Sequence, residues 1–551
     1  IGTQGQGSGT PQIQYMYIST PNENPIDVII TPIGGDPITV SISNSNPYEY
    51  FIGNGNQTNF IALSENSGQT FNNKGFIVEG EDLVYVSARL FTSDAYYQAA
   101  GLVSKGLAAL GTTFRVGTFE NLGDDMSNSF LNFVTVLATE DNTTVNFSDF
   151  GNGVTVVNNA PINDVILNSG ESYLIAIKPG DNINNSDGLI GVLVESDKPI
   201  AVNSGSITGS NANTTTDSNG QDAGIDQIVP VERIGTEYIF VRGIGPDQIE
   251  RPLIVAHEPN TEVYVNGTLE YTIAQAGEHW SVPSSFYGVS YDQYGQGPDI
   301  GVSSNMYVET SKPVFAYQVI GGIRPGTEGP FGAGTGIPNQ GLFFVPPINC
   351  QTPSIVNNIA AINKLGPDFA FGGVVTIVTE TGSTVLINGN DISDFAGDVQ
   401  PVNGNPLFET YTVEGLTGNV SIVSSSQVYV ASFGAYDYAT FGGYYSGFAY
   451  QPEIVLEEIT VGSEGCIPNL ELRLNSISIF DQYQWYFNGE MIDGAIGNSF
   501  TPTEPGYYQI SGAVDDCEGI LLSDNIPVSA CPPDTDFDGV NDNIDIDIDN
   551  D

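Results

Sequence analysis

Carboxylates recur at alternate positions near the C-terminal end of the sequence, in a spacing that suits a metal ion. In a twelve-residue Ca²⁺ loop, carboxylates alternate along the chain and a glycine at position 6 supplies a sharp turn. With Asp534 as position 1, this sequence has glycine at position 6, and the carbonyl of Val540 at position 7 is an expected extra ligand. Positions 1, 3, 5, 9 and 12 of this loop are Asp534, Asp536, Asp538, Asp542 and Asp545. We therefore predict a structural Ca²⁺ site here, with an acidic, solvated segment without metal as the alternative.

The same alternation begins again at the end of the sequence. Asp547, Asp549 and Asp551 occupy positions 1, 3 and 5 of a second loop, and the expected glycine would be the next residue. We expect the natural chain to continue beyond 551. Because position 12 of the first loop is Asp and no helix flanks it, the segment resembles a thrombospondin type 3 calcium repeat, which implies a stiff, calcium-dependent connector.

No residue pattern indicates catalysis. Glu140, Glu258 and Glu380 recur about 120 residues apart, and carboxylate pairs hydrolyse glycosides. Each glutamate, however, occupies the same hairpin turn of a repeated unit, which favours a structural role. His257 and His279, the two histidines, lack the spacing of a metal site. We predict that the chain is not an enzyme.

Tyrosines cluster in a Gly-rich segment near residue 440. Tyr436, Tyr438, Tyr444 and Tyr445 have aromatic faces of the kind that stack on sugars and other rings. They form a possible binding patch, and the alternative is packing against a neighbouring unit.

Four cysteines in 551 residues are too few for a disulfide scaffold. Cys466 and Cys517 flank two predicted strands and are the candidate disulfide pair, although four cysteines allow three connectivities. Cys350 and Cys531 are expected to be free or paired elsewhere.

The elements that carry these residues are repeated β units. Residues 191–205 read as two strands around a Ser-Asp-Lys-Pro turn, and the pattern returns at 306–317. Weaker copies lie at 75–90 and 420–433. A last strand is expected to close each unit, at 111–116 after the first and 235–241 after the second. Self-similarity at this period predicts a repeat array.

The predicted organisation follows from these copies. After an N-terminal arm or strand at 1–25, four antiparallel β units cover 26–130, 131–245, 246–350 and 351–453. They form one compact superdomain, which we favour, or tandem sandwiches, and a propeller-like closure is possible. An immunoglobulin-like sandwich at 454–531 and the acidic segment at 532–551 follow. The predicted fold class is all-β.

Composition excludes several partners. The formal net charge is −52, from 13 Lys and Arg against 65 Asp and Glu, which argues against nucleic acid and anionic membrane surfaces. No apolar run reaches the ~20 residues of a membrane span.

Four sequence motifs together resemble a known family. VTVLATEDNTTV, SGESY, VESDKPIAVNSG and GTEYIFVRG, all within residues 134–243, are similar to the IgGFc-binding-protein N-terminal domain. In Bacteroidetes such modules occur in secreted surface proteins, followed by immunoglobulin-like domains, a calcium repeat and a sorting domain for type IX secretion of the gliding-motility-associated kind. The resemblance covers about 26–551 and implies export to the outer membrane exterior, with the secretion machinery recognising a region beyond 551. It carries over no binding residues.

Three functions are consistent with these observations. The first is a cell-surface adhesin whose repeat loops bind a protein or glycan ligand. The second is a structural subunit of an envelope or filament assembly. A secreted carbohydrate-active enzyme is the remote third.

Overall fold

The computed structural model divides the chain into two bodies, at residues 1–448 and 449–551. The residues that the structure describes are 11–92, 98–122, 130–211, 222–243, 245, 247–290, 304–321, 340–395, 399–436, 439–448, 453–458, 466–475, 480–514 and 520–532.

The fold is all-β, which confirms the predicted class. The strands of the first body are β1 (Ile13–Ser19), β2 (Ile26–Pro32), β3 (Ile38–Ile42), β4 (Tyr48–Gly53), β5 (Thr70–Phe71), β6 (Phe76–Gly80), β7 (Tyr85–Phe91), β8 (Ala99–Val103), β9 (Gly111–Arg115), β10 (Leu131–Ala138), β11 (Thr143–Ser148), β12 (Val165–Leu167), β13 (Ser172–Ile177), β14 (Leu193–Gly209), β15 (Asp222–Ile228), β16 (Gly235–Val241), β17 (Leu253–Ala256), β18 (Thr261–Val265), β19 (Thr268–Ile273), β20 (His279–Ser281), β21 (Asn305–Gly321), β22 (Gln340–Phe344), β23 (Ile355–Ile359), β24 (Lys364–Leu365), β25 (Phe369–Ala370), β26 (Gly372–Glu380), β27 (Val385–Ile387), β28 (Asn390–Asp391), β29 (Gln400–Pro401), β30 (Phe408–Leu416), β31 (Val420–Ser424), β32 (Val428–Tyr436) and β33 (Ala439–Tyr444). The second body contains β34 (Glu453–Glu458), β35 (Leu470–Asn475), β36 (Gln482–Phe487), β37 (Glu490–Met491), β38 (Ser499–Phe500), β39 (Gly506–Ala513), β40 (Leu521–Leu522) and β41 (Ile526–Val528).

Helical structure among the described residues is limited to short 3₁₀ turns. They are Ser64–Asn66, Gly106–Ala109, Val157–Asn159, Pro179–Asp181, Ile183–Asn185, Val231–Arg233, Ser284–Tyr287 and Ile392–Asp394. Within the described part of the chain, no helix has the length and apolar character needed to cross a membrane.

The first body repeats one two-sheeted arrangement four times, and we call the copies sandwiches 1 to 4. In sandwich 1 the sheets are β3-β2-β6 and β4-β1-β7-β8, and in sandwich 4 they are β23-β31-β27-β28 and β29-β30-β26-β32-β33. In sandwiches 2 and 3 a single long strand, β14 or β21, belongs to both layers. The beginning of β14 pairs with β9 and β11, and its later part pairs with β10 and β15.

The predicted strand–turn–strand at 191–205 and 306–317 is therefore wrong in one respect, because the chain bends there without reversing. The Ser196 hydroxyl donates to the Lys198 carbonyl at 2.7 Å, and Thr310 donates to Lys312 at 2.8 Å. The proline that follows each lysine has no N–H to donate, so it is tolerated where the strand leaves one sheet for the other. In sandwich 4 the same step separates β31 from β32.

The strands at 111–116 and 235–241 were expected to close the unit before them, and this expectation is also wrong. β9 pairs with β14, and β16 pairs with β21, so each belongs to the sandwich that follows it in sequence. Both predictions used the order of strands along the chain, which does not specify sheet neighbours.

The four sandwiches close into a ring. Apolar clusters join sandwich 1 to 2 through Leu90 and Phe133, and sandwich 3 to 4 through Tyr307 and Tyr429. Sandwich 2 meets 3 where the Tyr317 hydroxyl donates to the Arg115 carbonyl at 2.6 Å. Sandwich 4 meets 1 in a cluster that includes Phe91, Phe371 and Phe441. One strand from each sandwich, namely β8, β15, β22 and β33, lies innermost, and neighbouring inner strands contact one another.

The second body is a smaller pair of sheets, β34-β35-β38 and β37-β36-β39-β40, with β41 also paired to β39. Its core contains Trp485, whose indole N–H donates to the Gly497 carbonyl at 2.9 Å. The hydroxyl of buried Tyr508 donates to the Glu504 carbonyl at 2.8 Å, four residues upstream. A tyrosine fixed in this way at a strand entrance is a known feature of immunoglobulin-like sandwiches.

Candidate functional site

The inner strands approach one another closely because glycines stand at their contacts. A Cβ added at Gly224 of β15 would lie 2.6 Å from the Leu342 side chain of β22 and 2.9 Å from its backbone nitrogen. At Gly442 of β33 a Cβ would meet the Phe343 ring at 2.6 Å. These contacts bring the middles of β15, β22 and β33 together at the centre of the ring.

Asp222 joins the beginnings of three inner strands. Its Oδ1 accepts the N–H groups of Ala99 on β8 and of Ala223, both at 2.8 Å, and its Oδ2 accepts the N–H of Thr440 on β33 at 3.0 Å. The side chain is fully buried, and this burial raises the pKa of its carboxyl well above the usual value, against the lowering effect of the three N–H donors. The three strands therefore begin at the same end of the ring.

Asp226, four residues further along β15, links the fourth inner strand. Its Oδ2 accepts the N–H of Phe344 on β22 at 2.9 Å, and its Oδ1 accepts a hydrogen bond from the Lys105 ammonium. Burial lowers the pKa of Lys105 and raises that of Asp226, and in each case the partner's charge opposes this effect. Both carboxylates are occupied by protein donors, so they hold strands together and are poorly suited to bind a substrate.

The shared direction of the inner strands places four hairpin connections at one end of the ring, which we call the hairpin end. They join β7 to β8, β14 to β15, β21 to β22 and β32 to β33. The connection after Asn211 consists of one Ala followed by Asn, Thr, Asp, Ser, Gly and Gln residues, and the one after Gly321 is rich in Gly and Pro. Loops held by a rigid scaffold are the usual carriers of binding function.

The recurrent glutamates lie apart from this centre, at exposed positions. The carbonyls of Glu140 and Glu258 accept the hydroxyls of Thr143 and Thr261 at 2.7 and 2.8 Å, which closes equivalent turns. Glu380 ends β26, and its carboxylate accepts from Gln427 at 3.0 Å. Each glutamate shapes or flanks a turn of its own sandwich.

The two histidines are not brought together with metal ligands. His279 lies 3.7 Å from the buried carboxylate of Glu120, and burial lowers the pKa of both imidazoles. Among the described residues, no group of three or more His, Cys, Asp or Glu side chains is placed to hold a metal ion.

The predicted tyrosine patch is wrong for the two members whose side chains the structure describes. Tyr444 is 3% exposed and Tyr445 is 7% exposed. Tyr445 packs into the core of sandwich 4 and contacts Tyr85 of sandwich 1 with ring centroids 6.4 Å apart. This segment forms inner strand β33, so its aromatic residues fill a boundary. Tyr438 and the side chain of Tyr436 lie outside the described residues.

The predicted disulfide is also corrected. Cys466 pairs with Cys531, with Cα atoms 5.0 Å apart. An isolated bridge between Ile467 and Ala530 brings the two ends of the second body side by side, which explains the pairing. Cys350 is disulfide-bonded as well, and Cys517 lies outside the described residues.

The proposed calcium ligands all lie outside the described residues, which end at 532. They are Asp534, Asp536, Asp538, Val540, Asp542, Asp545, Asp547, Asp549 and Asp551. The site remains a prediction from sequence.

Sequence reasoning missed the ring centre. The signal available was a small residue or glycine at the middle of each inner strand, as in Ala-Ala-Gly-Leu at 99–102 and Asp-Ala-Gly-Ile at 222–225. Gly within a strand indicates close backbone approach. Nothing local to Asp222 specifies that its partners lie on β8 and β33.

Comparison with known proteins gives one family match. The sequence model of a family described as IgGFc binding protein matches residues 100–434, which is more than half of the chain. The matched region runs from inner strand β8 to β32 and therefore contains every strand of sandwich 3 and, apart from β5, every strand of the sandwich 2 sheet. No curated protein matches the chain.

Two solved structures give only weak similarity. The apo lectin of Pleurotus ostreatus is 11% identical, with a TM-score of 0.12, over 49% of this chain and 90% of the lectin. Immunoglobulin domains 1–5 of Sidekick-1 are 8% identical, with a TM-score of 0.10, over 95% of this chain and 98% of that one.

Proposed function

This chain belongs to the IgGFc binding protein family, and on that premise we propose that it is a non-enzymatic, extracellular adhesin of the cell surface. The ring acts as a rigid scaffold, and the loops at the hairpin end contact a protein or glycan ligand. The observation that carries this proposal is the convergence of inner-strand starts on Asp222. Asp222 gathers the beginnings of β8, β15 and β33, and the hydrogen bond from Phe344 to Asp226 aligns β22 beside them, so four separate connections share one end of the ring.

The residue types in the connections at the hairpin end suit a polar binding surface. Ser, Gly and Asn supply adaptable hydrogen bonds in recognition loops, and the 212–220 connection contains all three, together with Thr and Asp. The net charge of −52 favours a neutral or cationic partner surface over nucleic acid or an anionic membrane.

The test is ligand capture by purified protein, followed by loop replacement. Native protein is recovered from its source cells in calcium, and its partners and stoichiometry are measured by mass spectrometry, with glycan arrays in parallel. Replacing 323–338 by a short Gly-Ser segment is expected to abolish binding and leave the melting temperature unchanged. The matched control replaces the exposed turn 381–383 between β26 and β27, and this variant retains binding.

Other outcomes would select the alternatives. A fixed-ratio partner or ordered self-assembly would make the chain a subunit of an envelope or filament assembly. Hydrolysis of a polysaccharide that a single carboxylate substitution abolishes would support the carbohydrate-active enzyme.

We further propose that 532–551 is a calcium-stiffened connector that follows an immunoglobulin-like domain. The spacing of Asp534 to Asp545 supports the metal, and buried Trp485 with the Tyr508 hydrogen bond supports the domain type. EDTA is expected to increase proteolysis within 532–551, and Asp536→Asn with Asp538→Asn to do so in calcium. Equal cleavage with and without EDTA would exclude the metal. Export through type IX secretion in a gliding bacterium of the Bacteroidetes remains part of this proposal.

A further inference from the structure

A cavity of about 190 Å³ lies on the boundary between sandwiches 1 and 2. One wall is the face of the sandwich 2 sheet that carries Thr135, Leu137, Ala201 and Asn203. The facing wall comes from sandwich 1, from residues 59–76 together with Leu90 and Leu102. This volume exceeds the roughly 150 Å³ of a cavity known to accept benzene, so a group of phenyl to indole size fits.

The lining is mainly apolar and strongly aromatic. Phe60 and Phe76 contribute from sandwich 1, Phe71 contributes from β5, which pairs with the sandwich 2 strand β13, and Phe133 contributes from β10. Aromatic walls favour a flat, ring-shaped guest, because offset and edge-to-face contacts add to the burial of apolar surface.

One polar atom inside this lining has no protein partner. Thr135, Asn203 and Gln227 are cross-strand neighbours on β10, β14 and β15. The Thr135 hydroxyl donates to the Asn203 carbonyl at 3.4 Å, and the Gln227 Oε1 accepts the N–H of Lys105 at 2.7 Å. The Asn203 Oδ1 is buried and accepts no hydrogen bond from any described residue. A buried acceptor without a donor is costly, so a guest that donates here gains affinity.

Lys74 adds a positive charge to the cavity lining. Its ammonium donates to the Thr58 carbonyl at 2.5 Å, and no carboxylate of a described residue lies within ion-pair distance of it. An ammonium has three donors, so two remain for a guest. The chain contains 65 acidic and only 13 basic residues. Because the Lys74 ammonium lines a cavity and has no acidic partner among the described residues, it attracts an anion.

The cavity is held open by its own walls. The Asn59 amide donates to the carbonyls of Ile33 and Asn73 at 2.9 and 3.1 Å, and the N–H of Gly75 donates to Asn59 at 2.8 Å. Strand β5 pairs with β13, which fixes the sandwich 1 segment against the sandwich 2 sheet. Because the site is preformed, binding of a guest does not carry the entropy cost of ordering the cavity walls.

We propose that this cavity binds a small aromatic carboxylate, with the ring among the phenylalanines, the carboxylate on Lys74 and a ring N–H on the Asn203 Oδ1. The site is separate from the hairpin end, so it stands whether or not the adhesin proposal holds. Its ligand is a free small molecule.

The test uses calorimetric titration of the full chain with indole-3-acetate, indole-3-acetamide and 1-methylindole-3-acetate. The acid is expected to bind more tightly than the neutral amide. Lys74→Met is expected to weaken the acid about tenfold and leave the amide unchanged, as for a lost charge-assisted hydrogen bond. Asn203→Leu is expected to remove the preference for the acid over its N-methyl derivative.

Two further variants keep the test independent of folding. Ala201→Leu fills the cavity and is expected to abolish binding of all three compounds with a native melting temperature. Lys178→Met, the matched control, removes a half-buried lysine that does not line the cavity, and retains binding. No binding of the acid at millimolar concentration, or binding insensitive to Lys74→Met, would overturn the proposal. Binding only of a peptide with a C-terminal tryptophan would overturn the assignment to a small molecule.

Discussion

The boundary between sandwiches 2 and 3 is filled, whereas the boundary between sandwiches 1 and 2 leaves a cavity. At the filled boundary, a Cβ on Gly117 would lie 2.4 Å from the Tyr317 ring, and the Arg251 guanidinium forms a buried ion pair with Glu120. Burial lowers the pKa of Arg251 to about 10. At the open boundary, Lys74 lacks such a partner and the Asn203 Oδ1 is unsatisfied. Repeats of one architecture thus meet in two ways. Buried polar atoms without hydrogen-bond partners among the described residues occur at both boundaries, including the Arg251 Nε and the Asn203 Oδ1, so the cavity beside Lys74 is what distinguishes the boundary suited to a ligand.

The largest expected effect is at the filled boundary. Arg251→Met leaves Glu120, whose side chain is 7% exposed, without its charge partner, and should cost about 3–5 kcal/mol of unfolding free energy. Chemical denaturation of the first body measures this loss. The double variant Arg251→Met/Glu120→Gln is expected to recover most of it. Arg473→Met breaks an exposed pair with Glu471 and should cost at most about 1 kcal/mol. Equal losses for the two arginine variants would contradict the comparison.

A smaller effect comes from adding one carbon at the same boundary. Gly117→Ala forces its Cβ against the Tyr317 ring and should destabilise the first body by about 1–3 kcal/mol. Gly35→Ala is the control, because its Cβ would meet only ordinary contacts at 3.4 Å from Pro32. Thermal melting of both variants checks the difference.

At the open boundary, Ala201→Leu adds three carbons, yet it is expected to lower the unfolding free energy less than Gly117→Ala does at the filled boundary. Ala201→Leu projects into the cavity of about 190 Å³ and should change the unfolding free energy by less than about 1 kcal/mol. A loss greater than that of Gly117→Ala would show that the cavity closes in solution.

The smallest expected effect is a pH dependence of binding at the open boundary. Burial lowers the pKa of Lys74, so its ammonium loses a proton below the usual lysine range. Affinity for indole-3-acetate should be constant at lower pH and fall as pH rises through this lowered pKa, whereas Lys74→Met should remove the dependence. Tyr173, which also borders the cavity, has its pKa raised by burial to about 12 and remains neutral over this range. Titration calorimetry at several alkaline pH values measures the slope.

The sequence predicted the fold class and the repetition because both depend on local patterns. Alternating apolar residues around 134–147 and 253–265 form strands in the structure as expected. The hairpins predicted there are wrong, because β10 and β11 both pair with β14, and β17 and β18 both pair with β21. The bend at Ser196 and Lys198 was not predictable, since a hydroxyl–carbonyl bond of this kind also forms in a reversing turn. Tyr445 was misassigned because its neighbours on sandwich 1 are more than 300 residues away in sequence. The cavity has no sequence signal, because its two walls come from separate repeats.

Ring closure also has a consequence for the order of events during synthesis. The hydroxyl of Ser19 donates to the Asn358 carbonyl at 2.6 Å, and the Arg89 guanidinium donates to the carbonyls of Ala360 and Ala361. These bonds join the first repeat to the last, and contacts between such distant residues form slowly. The first repeat therefore keeps one apolar side uncovered until the fourth repeat has been synthesised and can pack against it.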